Sequence, residues 1–217
     1  MQIQNKCIQI NLQCSRLATD SLLKIIEEEN IDILCIQEPY TIQNKIAGLS
    51  KKYKIFTSGE GRNRAAIVVT NKQVETLLIK QLSDEDTVVL EVLIDNVKII
   101  LASMYFDISR QIETDLLKIE AIILHATGAG VLVAIDSNSR STSWHDTLTN
   151  RRGRTLEEFL MSKRLHILNE QSDCTTFRSR RGTSNIDTTV ISSQLLSKVA
   201  EWKISEQESC SDHSIVR

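Results

Sequence analysis

Asp136 and Asn138 follow directly on an apolar run, Val131-Leu132-Val133-Ala134-Ile135. A core does not accept two such polar side chains without partners. Comparable groups stand at the ends of other apolar stretches: Asn11, Glu38, Tyr105, Asp187 and the pair Asp212-His213. Carboxylates and amides offer the hard oxygen atoms that Mg²⁺ prefers, with room left for water and a phosphate oxygen. An imidazole beside a carboxylate is held cationic or in one tautomer, which phosphate-ester cleavage requires. Each residue also has a plain structural reading. Asp136 and Asn138 can bend a chain, Glu38 can lie on the surface, Asp212 can cap a helix and Tyr105 can belong to the core. Their joint placement at strand tips favours a site.

Those residues need strands to carry them. Apolar alternation predicts strands over residues 6–11, 31–37, 53–57, 65–70, 87–94 and 97–105, with a further one over 74–80. Pro39 forces Glu38 out of the helical region and closes the second of these. The run 131–135, entered from Gly128 and Gly130, reads as a strand buried on both faces. Asp95-Asn96 between two β-branched runs signals a hairpin. Helices are expected over 17–29, fraying at Glu27-Glu28-Glu29 because three acids oppose the macrodipole, and over 109–126. Thr155-Leu156-Glu157-Glu158 has capping-box spacing for a third helix reaching Lys163. Short strands over 165–168, 175–177, 186–191 and 199–204 complete the chain, with 178–183 as an exposed basic loop. Many short strands, few helices and several hairpins predict an α/β four-layer sandwich of two mainly antiparallel β-sheets flanked by helices.

The chain has 217 residues, one Pro, seven Gly and no low-complexity tract, so one domain spanning 1–217 is expected. No apolar run approaches the ~18 residues of a membrane span, and the first residues lack a signal-peptide pattern. Five widely spaced cysteines with no C-x-x-C speak against a disulfide framework or thiolate zinc site and for a reducing, intracellular setting. Neither nucleotide-binding glycine fingerprint is present, so no small-molecule cofactor is expected. Net charge is −2, yet residues 140–181 carry nine Lys/Arg against five Asp/Glu. A local basic face beside acidic groups suits a phosphate-backbone ligand, and a solvated surface is its plain alternative.

In order, Asn11, Gln37-Glu38-Pro39, Asp136-x-Asn138, Asn185-Ile186-Asp187 and Ser211-Asp212-His213 resemble the motifs of the endonuclease/exonuclease/phosphatase superfamily, which has the DNase I-like fold. Asn138-x-x-Ser141-x-x-Trp144 resembles more particularly the endonuclease domains of non-LTR (LINE-type) retrotransposons. Arg64-Ala65-Ala66-Ile67 and Thr176-Phe177 are similar to further stretches of that group. The resemblance runs from Asn11 to His213. It implies Glu38 as the principal Mg²⁺ ligand, with Mn²⁺ as an alternative ion, and Asn11 and Asp212 near the metal. It implies Asp136 as the group that orients or deprotonates the attacking water, held by Asn138. His213, oriented by Asp187, would meet the scissile phosphate, and Tyr105 would hydrogen-bond a phosphate oxygen. Three departures stand out: Ile135 replaces the usual glycine, Tyr105-Phe106-Asp107 lacks Pro-Asn after the tyrosine, and Thr188-Thr189 replaces an aromatic after Asp187. The last two weaken an abasic-site repair reading.

The implied activity is Mg²⁺-dependent nicking of one strand of duplex target DNA, giving a 3′-hydroxyl that primes target-primed reverse transcription. The implied partners are duplex DNA and a reverse transcriptase domain in the same polyprotein, with no membrane. The implied place of action is the nucleus, after synthesis in the cytoplasm. The chain stops one strand short of the superfamily pattern, as a piece of something longer would. The alternatives are a phosphatase of small phosphoesters such as inositol phosphates, and a non-catalytic nucleic-acid-binding module. For DNA contact the candidates are Arg64, Arg178, Arg180, Arg181 and Trp144. Packing the catalytic loop down is the preferred reading of the tryptophan. His145 has no second histidine at ligand spacing.

Overall fold

The computed structural model describes residues 5–59 and 61–217. The chain opens with β1 (Cys7–Asn11), α1 (Arg16–Glu29) and β2 (Ile33–Gln37). Ser15 caps α1 by accepting from the Ala18 amide. The three terminal acids do not fray it, because Glu27 and Glu29 each find a counterpart. Lys52 pairs with Glu27, Arg217 with Glu29 at 2.5 Å, and Lys6 Nζ donates to the Glu29 carbonyl. Asn30, left-handed at φ 53°, returns its N–H to Ile26 and ends the helix.

A small hairpin that the sequence pattern did not suggest, β3 (Thr41–Ile42) and β4 (Lys45–Ile46), precedes β5 (Lys54–Phe56) and β6 (Ala65–Val69). Then come β7 (Glu75–Leu78), β8 (Thr87–Ile94) and β9 (Val97–Tyr105). Asp95 and Asn96 both have positive φ, 48° and 63°, the geometry a two-residue hairpin demands. After α2 (Ile112–His125) the chain forms β10 (Gly130–Asp136) and α3 (Arg151–Ser162).

The start of α3 corrects the capping-box expectation. Asn150, not Thr155, is the cap, and its Oδ1 accepts from the amides of Gly153 (2.7 Å) and Arg140 (3.3 Å). Thr155 lies inside the helix and donates to the Arg151 carbonyl. The chain continues through β11 (Leu165–Ile167), β12 (Phe177–Ser179), β13 (Gly182–Ser184) and β14 (Asp187–Ser192). The expected basic loop is thus the tip of a hairpin. The expected strand over 199–204 is reduced to one bridge, Ile204 to Val216, after a 3-10 turn at Ser193–Lys198.

Two sheets result, one ordered β1-β2-β6-β5 and the other β11-β14-β10-β9-β8-β7. Each has one parallel pair, β1 with β2 and β9 with β10; every other pairing in the two sheets is antiparallel. Strand alternation sorts the core into three slabs. Leu34 and Ile36 of β2 face Leu22, Ile25 and Ile26 of α1. Ile33 and Cys35 face the other sheet, meeting Val88, Leu90 and Leu101. On that sheet's far side, Val131, Val133 and Ile135 pack under Leu116 and Ile119 of α2 and Leu156 and Leu160 of α3. Helix, sheet, sheet, helices: this is the four-layer α/β sandwich. Buried amides also tie the sheets together, Gln9 donating to the Ile135 carbonyl and Gln37 to Ser103 and the Ala134 carbonyl. Val216 exchanges both backbone hydrogen bonds with Gln9 and so extends pairing on the outer edge of β1.

Candidate active site

Register builds the centre of the site. In the larger sheet Asp136 lies directly between Tyr105 on β9 and Asp187 on β14. Neighbouring strands lie about 5 Å apart, so these three side chains emerge in a row at one end of the sandwich. In the smaller sheet Asn11 pairs with Gln37, which places Glu38 one residue beyond β2 at the same end. Glu38 adopts positive φ (42°), and its N–H donates to the Arg64 carbonyl at 2.8 Å.

Asn11 joins the two sheets. Its Nδ2 donates to Asp136 Oδ2 at 2.7 Å and to Glu38 Oε2 at 3.2 Å. Its Oδ1 accepts from the Gln13 amide at 2.7 Å, which fixes the orientation of the side-chain amide. Asn11 therefore bridges two carboxylates in the cleft, next to Glu38. Asp136 Oδ1 accepts from the Asn138 amide, and Asn138, left-handed at φ 46°, anchors its own side chain on the Phe106 carbonyl. His213 places Nδ1 2.9 and 3.2 Å from the two Asp187 oxygens and Nε2 4.0 Å from Asp136 Oδ2. The Phe177 ring meets the imidazole edge-on at 4.9 Å.

The electrostatics follow from burial. Asp136 is buried, and desolvation together with the Asp187 charge pushes its carboxyl up to about 7. For His213 burial works against the charged ring, but Asp187, Asp136 and Glu38 outweigh it and lift the imidazole to about 9. Burial and the Glu38 and Asp136 carboxylates raise the Tyr105 phenol to about 12, so it stays a proton donor. These groups line an open cleft of about 350 Å³ with Gln13, Arg140 and Asn150.

Several supporting residues escaped the sequence reading. Gln13 Oε1 accepts from the Asp212 amide at 2.9 Å and from Ser211, fastening the His213 segment to the turn after β1. The Thr176 hydroxyl accepts from the amides of Ile186 and Asp187, fixing the start of β14. Arg140 donates through Nε to Asp146 at 2.9 Å, and Asp146 in turn accepts from the Asn185 amide at 2.7 Å. No spacing or periodicity marks these roles.

Three assignments change. Asp212 is exposed and lines a neighbouring groove with Arg180 and Arg181, outside the Asp136 cleft, so it is not placed beside Glu38. Trp144 is 1% exposed and donates its Nε1–H to the Asn185 carbonyl. It packs the loop down and presents no face to DNA. Arg64 is not a free arm: Asp86 takes it bidentately at 2.5 and 2.9 Å, and Asp107 at 2.6 Å. Arg178, Arg180 and Arg181 are exposed on the β12–β13 hairpin, which is tied to the His213 segment by the Phe177–His213 bridge.

The donor set fits a hard divalent cation. Glu38 and Asp136 share one Asn11 amide, so their carboxylates stand side by side with oxygen lone pairs to spare. Asp136, Asp187 and His213 also cluster tightly enough to hold an ion. There, however, the imidazole nitrogen facing Asp187 is already committed to it.

Two face-to-face mixed sheets flanked by helices, with this polar kit at one end, define a DNase I-like α/β fold. Among solved structures, the endonuclease domain of TRAS1, a telomere-specific non-LTR retrotransposon, superposes with a TM-score of 0.87 and 29% identity, over 98% of this chain and 96% of that one. The AP endonuclease LMAP from Leishmania major shares the fold at TM-score 0.76 and 16% identity, over 98% and 86% of the two chains. The endonuclease-reverse transcriptase family matches residues 99–217, more than half of the sequence, and the chain belongs to that family. It is 28% identical to the putative 115 kDa protein in type-1 retrotransposable element R1DM of Drosophila melanogaster, over 96% of this chain and 21% of that protein. It is 23% identical to the retrovirus-related Pol polyprotein from type-1 retrotransposable element R1 of Bradysia coprophila, over 81% and 19%. The chain thus spans about a fifth of the curated relatives it matches.

Proposed function

We propose that this domain is a divalent-metal-dependent endonuclease that nicks one strand of duplex DNA, leaving a 3′-hydroxyl for reverse transcription by another part of the same polyprotein in the nucleus. The observation that carries the reading is the convergence of Asp136, Glu38 and the His213–Asp187 pair on one open cleft beside an arginine-bearing hairpin. The Pol polyprotein and retrotransposon relatives support the reverse-transcription part.

In this scheme Asp136 takes the proton of the attacking water. Asn11 and Asn138 hold its two oxygens, so the carboxylate keeps one orientation as it accepts the proton. His213 enters charged, Asp187 on Nδ1, and offers Nε2–H to a non-bridging phosphate oxygen as negative charge accumulates there. Tyr105 donates its phenol proton to a second oxygen. Held by Glu38, Mg²⁺ or Mn²⁺ would supply Lewis-acid neutralisation of the phosphate as the P–O3′ bond breaks, and the leaving 3′-oxygen takes its proton from solvent. Arg178, Arg180 and Arg181 grip the duplex backbone.

Supercoiled plasmid incubated with folded protein and Mg²⁺ should become open-circular, and the nick should extend with a polymerase that needs a 3′-hydroxyl. Release of inorganic phosphate from small phosphoesters without nicking would sink the reading in favour of a phosphatase. Duplex binding without any Mg²⁺-dependent cleavage would favour a non-catalytic module.

A further inference from the structure

We propose that the Arg64 side chain is a positioning group that holds Tyr105 in place, from the residue whose carbonyl anchors Glu38, and that it does not act by gripping DNA. Glu38 and Tyr105 come from different sheets, and Arg64 touches the support of both. Its carbonyl accepts the Glu38 N–H at 2.8 Å, the bond that anchors the glutamate in its left-handed conformation. Its guanidinium lies over the Tyr105 ring at 5.0 Å. The same guanidinium is clamped by Asp86 and Asp107, and these flank the tyrosine along the chain and in space. Asp86 accepts the Tyr105 N–H through its carbonyl at 2.9 Å, and Asp107 lies two residues beyond the ring.

Asp86 is held in turn by Arg110. The Arg64 side chain is only 13% exposed, and all three of its nitrogens are engaged by carboxylates. Bidentate and doubly paired, such a fork is rigid, and the face left over is filled by an aromatic ring. To reach a phosphate it would have to leave Asp107 without its cation and the fully buried Asp86 with Arg110 alone. The geometry therefore favours an internal strut: the ring cannot swing without disturbing Arg64, and Arg64 cannot shift without breaking from Asp86 and Asp107.

The inference rests on the nuclease reading for its kinetic arm but has a second arm in the free protein. In duplex nicking, Arg64→Gln should lower kcat by about 10- to 100-fold while KM and duplex affinity change less than about threefold. Arg64→Lys, which keeps the charge over the ring but not the fork, should fall between. In a Tyr105→Phe background the Arg64→Gln effect should largely vanish, because both changes remove one function. Additive effects overturn the proposal. So does a loss confined to affinity with a shallower salt dependence, the mark of a phosphate contact.

If Arg64→Gln does not fold, Asp107→Asn releases one side of the clamp. It should lower kcat severalfold at unchanged affinity, and an unchanged rate or tighter duplex binding overturns the idea. Independently of nicking, the NMR ring signals of Tyr105, assigned by their loss in Tyr105→Phe, should shift and broaden in Asp107→Asn and Arg64→Gln. Those of Tyr40 and Tyr53 should stay in place. Unmoved Tyr105 signals overturn the proposal even if the wild-type protein nicks nothing, whereas absence of wild-type nicking alone counts only against the nuclease reading.

Discussion

Replacing Asp187 by Asn keeps the shape of the His213 partner and removes its charge, which separates electrostatics from packing. Asp187 lies 2.9 Å from His213 Nδ1 and leads the carboxylates that raise the imidazole to about 9 against the cost of burial. A rise from the ordinary 6.5 to about 9 corresponds to about 3 kcal/mol in favour of the charged ring. In Asp187→Asn the burial remains and most of the compensation goes, so His213 should titrate at or below 6.5. At pH 7.5 the wild-type ring is almost wholly cationic, whereas at most about a tenth of the variant's is. That alone lowers kcat about tenfold, and loss of the fixed tautomer should bring the total to about 10²- to 10³-fold.

The pH profile gives a second, sharper readout. Activity needs Asp136 ionised and His213 protonated, so in the wild type it should rise as pH passes about 7 and fall as pH passes about 9. A dication beside Asp136 moves the first limb lower. Removing the Asp187 charge lowers both limbs, because Asp187 also holds the Asp136 carboxyl up. The variant's optimum should therefore move to more acidic pH and recover part of its rate there. Initial nicking rates across about pH 5.5 to 9.5, with NMR titration of the His213 ring, measure this. An unchanged optimum, or a wild-type His213 that titrates near 6.5, would refute the reasoning.

Glu38→Ala should abolish nicking and remove the rise in Tm that Mg²⁺ gives the wild type, while EDTA should stop wild-type nicking reversibly; equal Mg²⁺ stabilisation of both proteins would displace Glu38 from the metal. Gly153→Ala should destabilise the fold by a few kcal/mol in urea unfolding and weaken nicking. Its methyl would lie 1.9 Å from the Arg140 carbonyl, which the Asn150 amide holds in place at 3.0 Å. Trp144→Ala should cost about 3–5 kcal/mol, as a buried tryptophan does, with the same loss whether or not DNA is present; a defect seen only in duplex affinity would restore a DNA-contact role.

How far the sequence foretold this molecule depends on which physical signal each feature used. The strands that carry the site were readable because they are long, apolar and end in polar groups: β9 runs over the very residues its alternation indicated, and β10 is longer by one residue at each end, Gly130 and Asp136. α3 was misjudged at its start because Gly153 and an all-basic first turn, unfavourable to the macrodipole, hide the start of the helix. What starts that helix is tertiary: Asn150 caps it while also holding the Arg140 amide, and Gly153 admits the close carbonyl. The strand expected over 199–204 rested on apolar residues that are indeed buried, Trp202 and Ile204, but backbone pairing covers only residues 203–205 against 215–217. Burial was legible; pairing was not.

The basic surplus between residues 140 and 181 shows the same limit in the site. Summed along the chain, it suggested one broad face for a phosphate backbone. In space it divides. Arg140 is spent on Asp146, Lys163 on Glu120, and Arg152 donates to the Arg110 carbonyl. Arg151, Arg154 and Arg164 are exposed on α3 and just after it, and Arg178, Arg180 and Arg181 on one hairpin, whose first strand pairs with His213. Arg64, outside that segment, goes the way of Arg140. An arginine's sequence context records its charge but not whether a carboxylate forty residues away already occupies it, and Asp107 is such a partner for Arg64. The charge left free on the surface is therefore smaller than the sequence count and falls on two elements, α3 with its end and the β12–β13 hairpin.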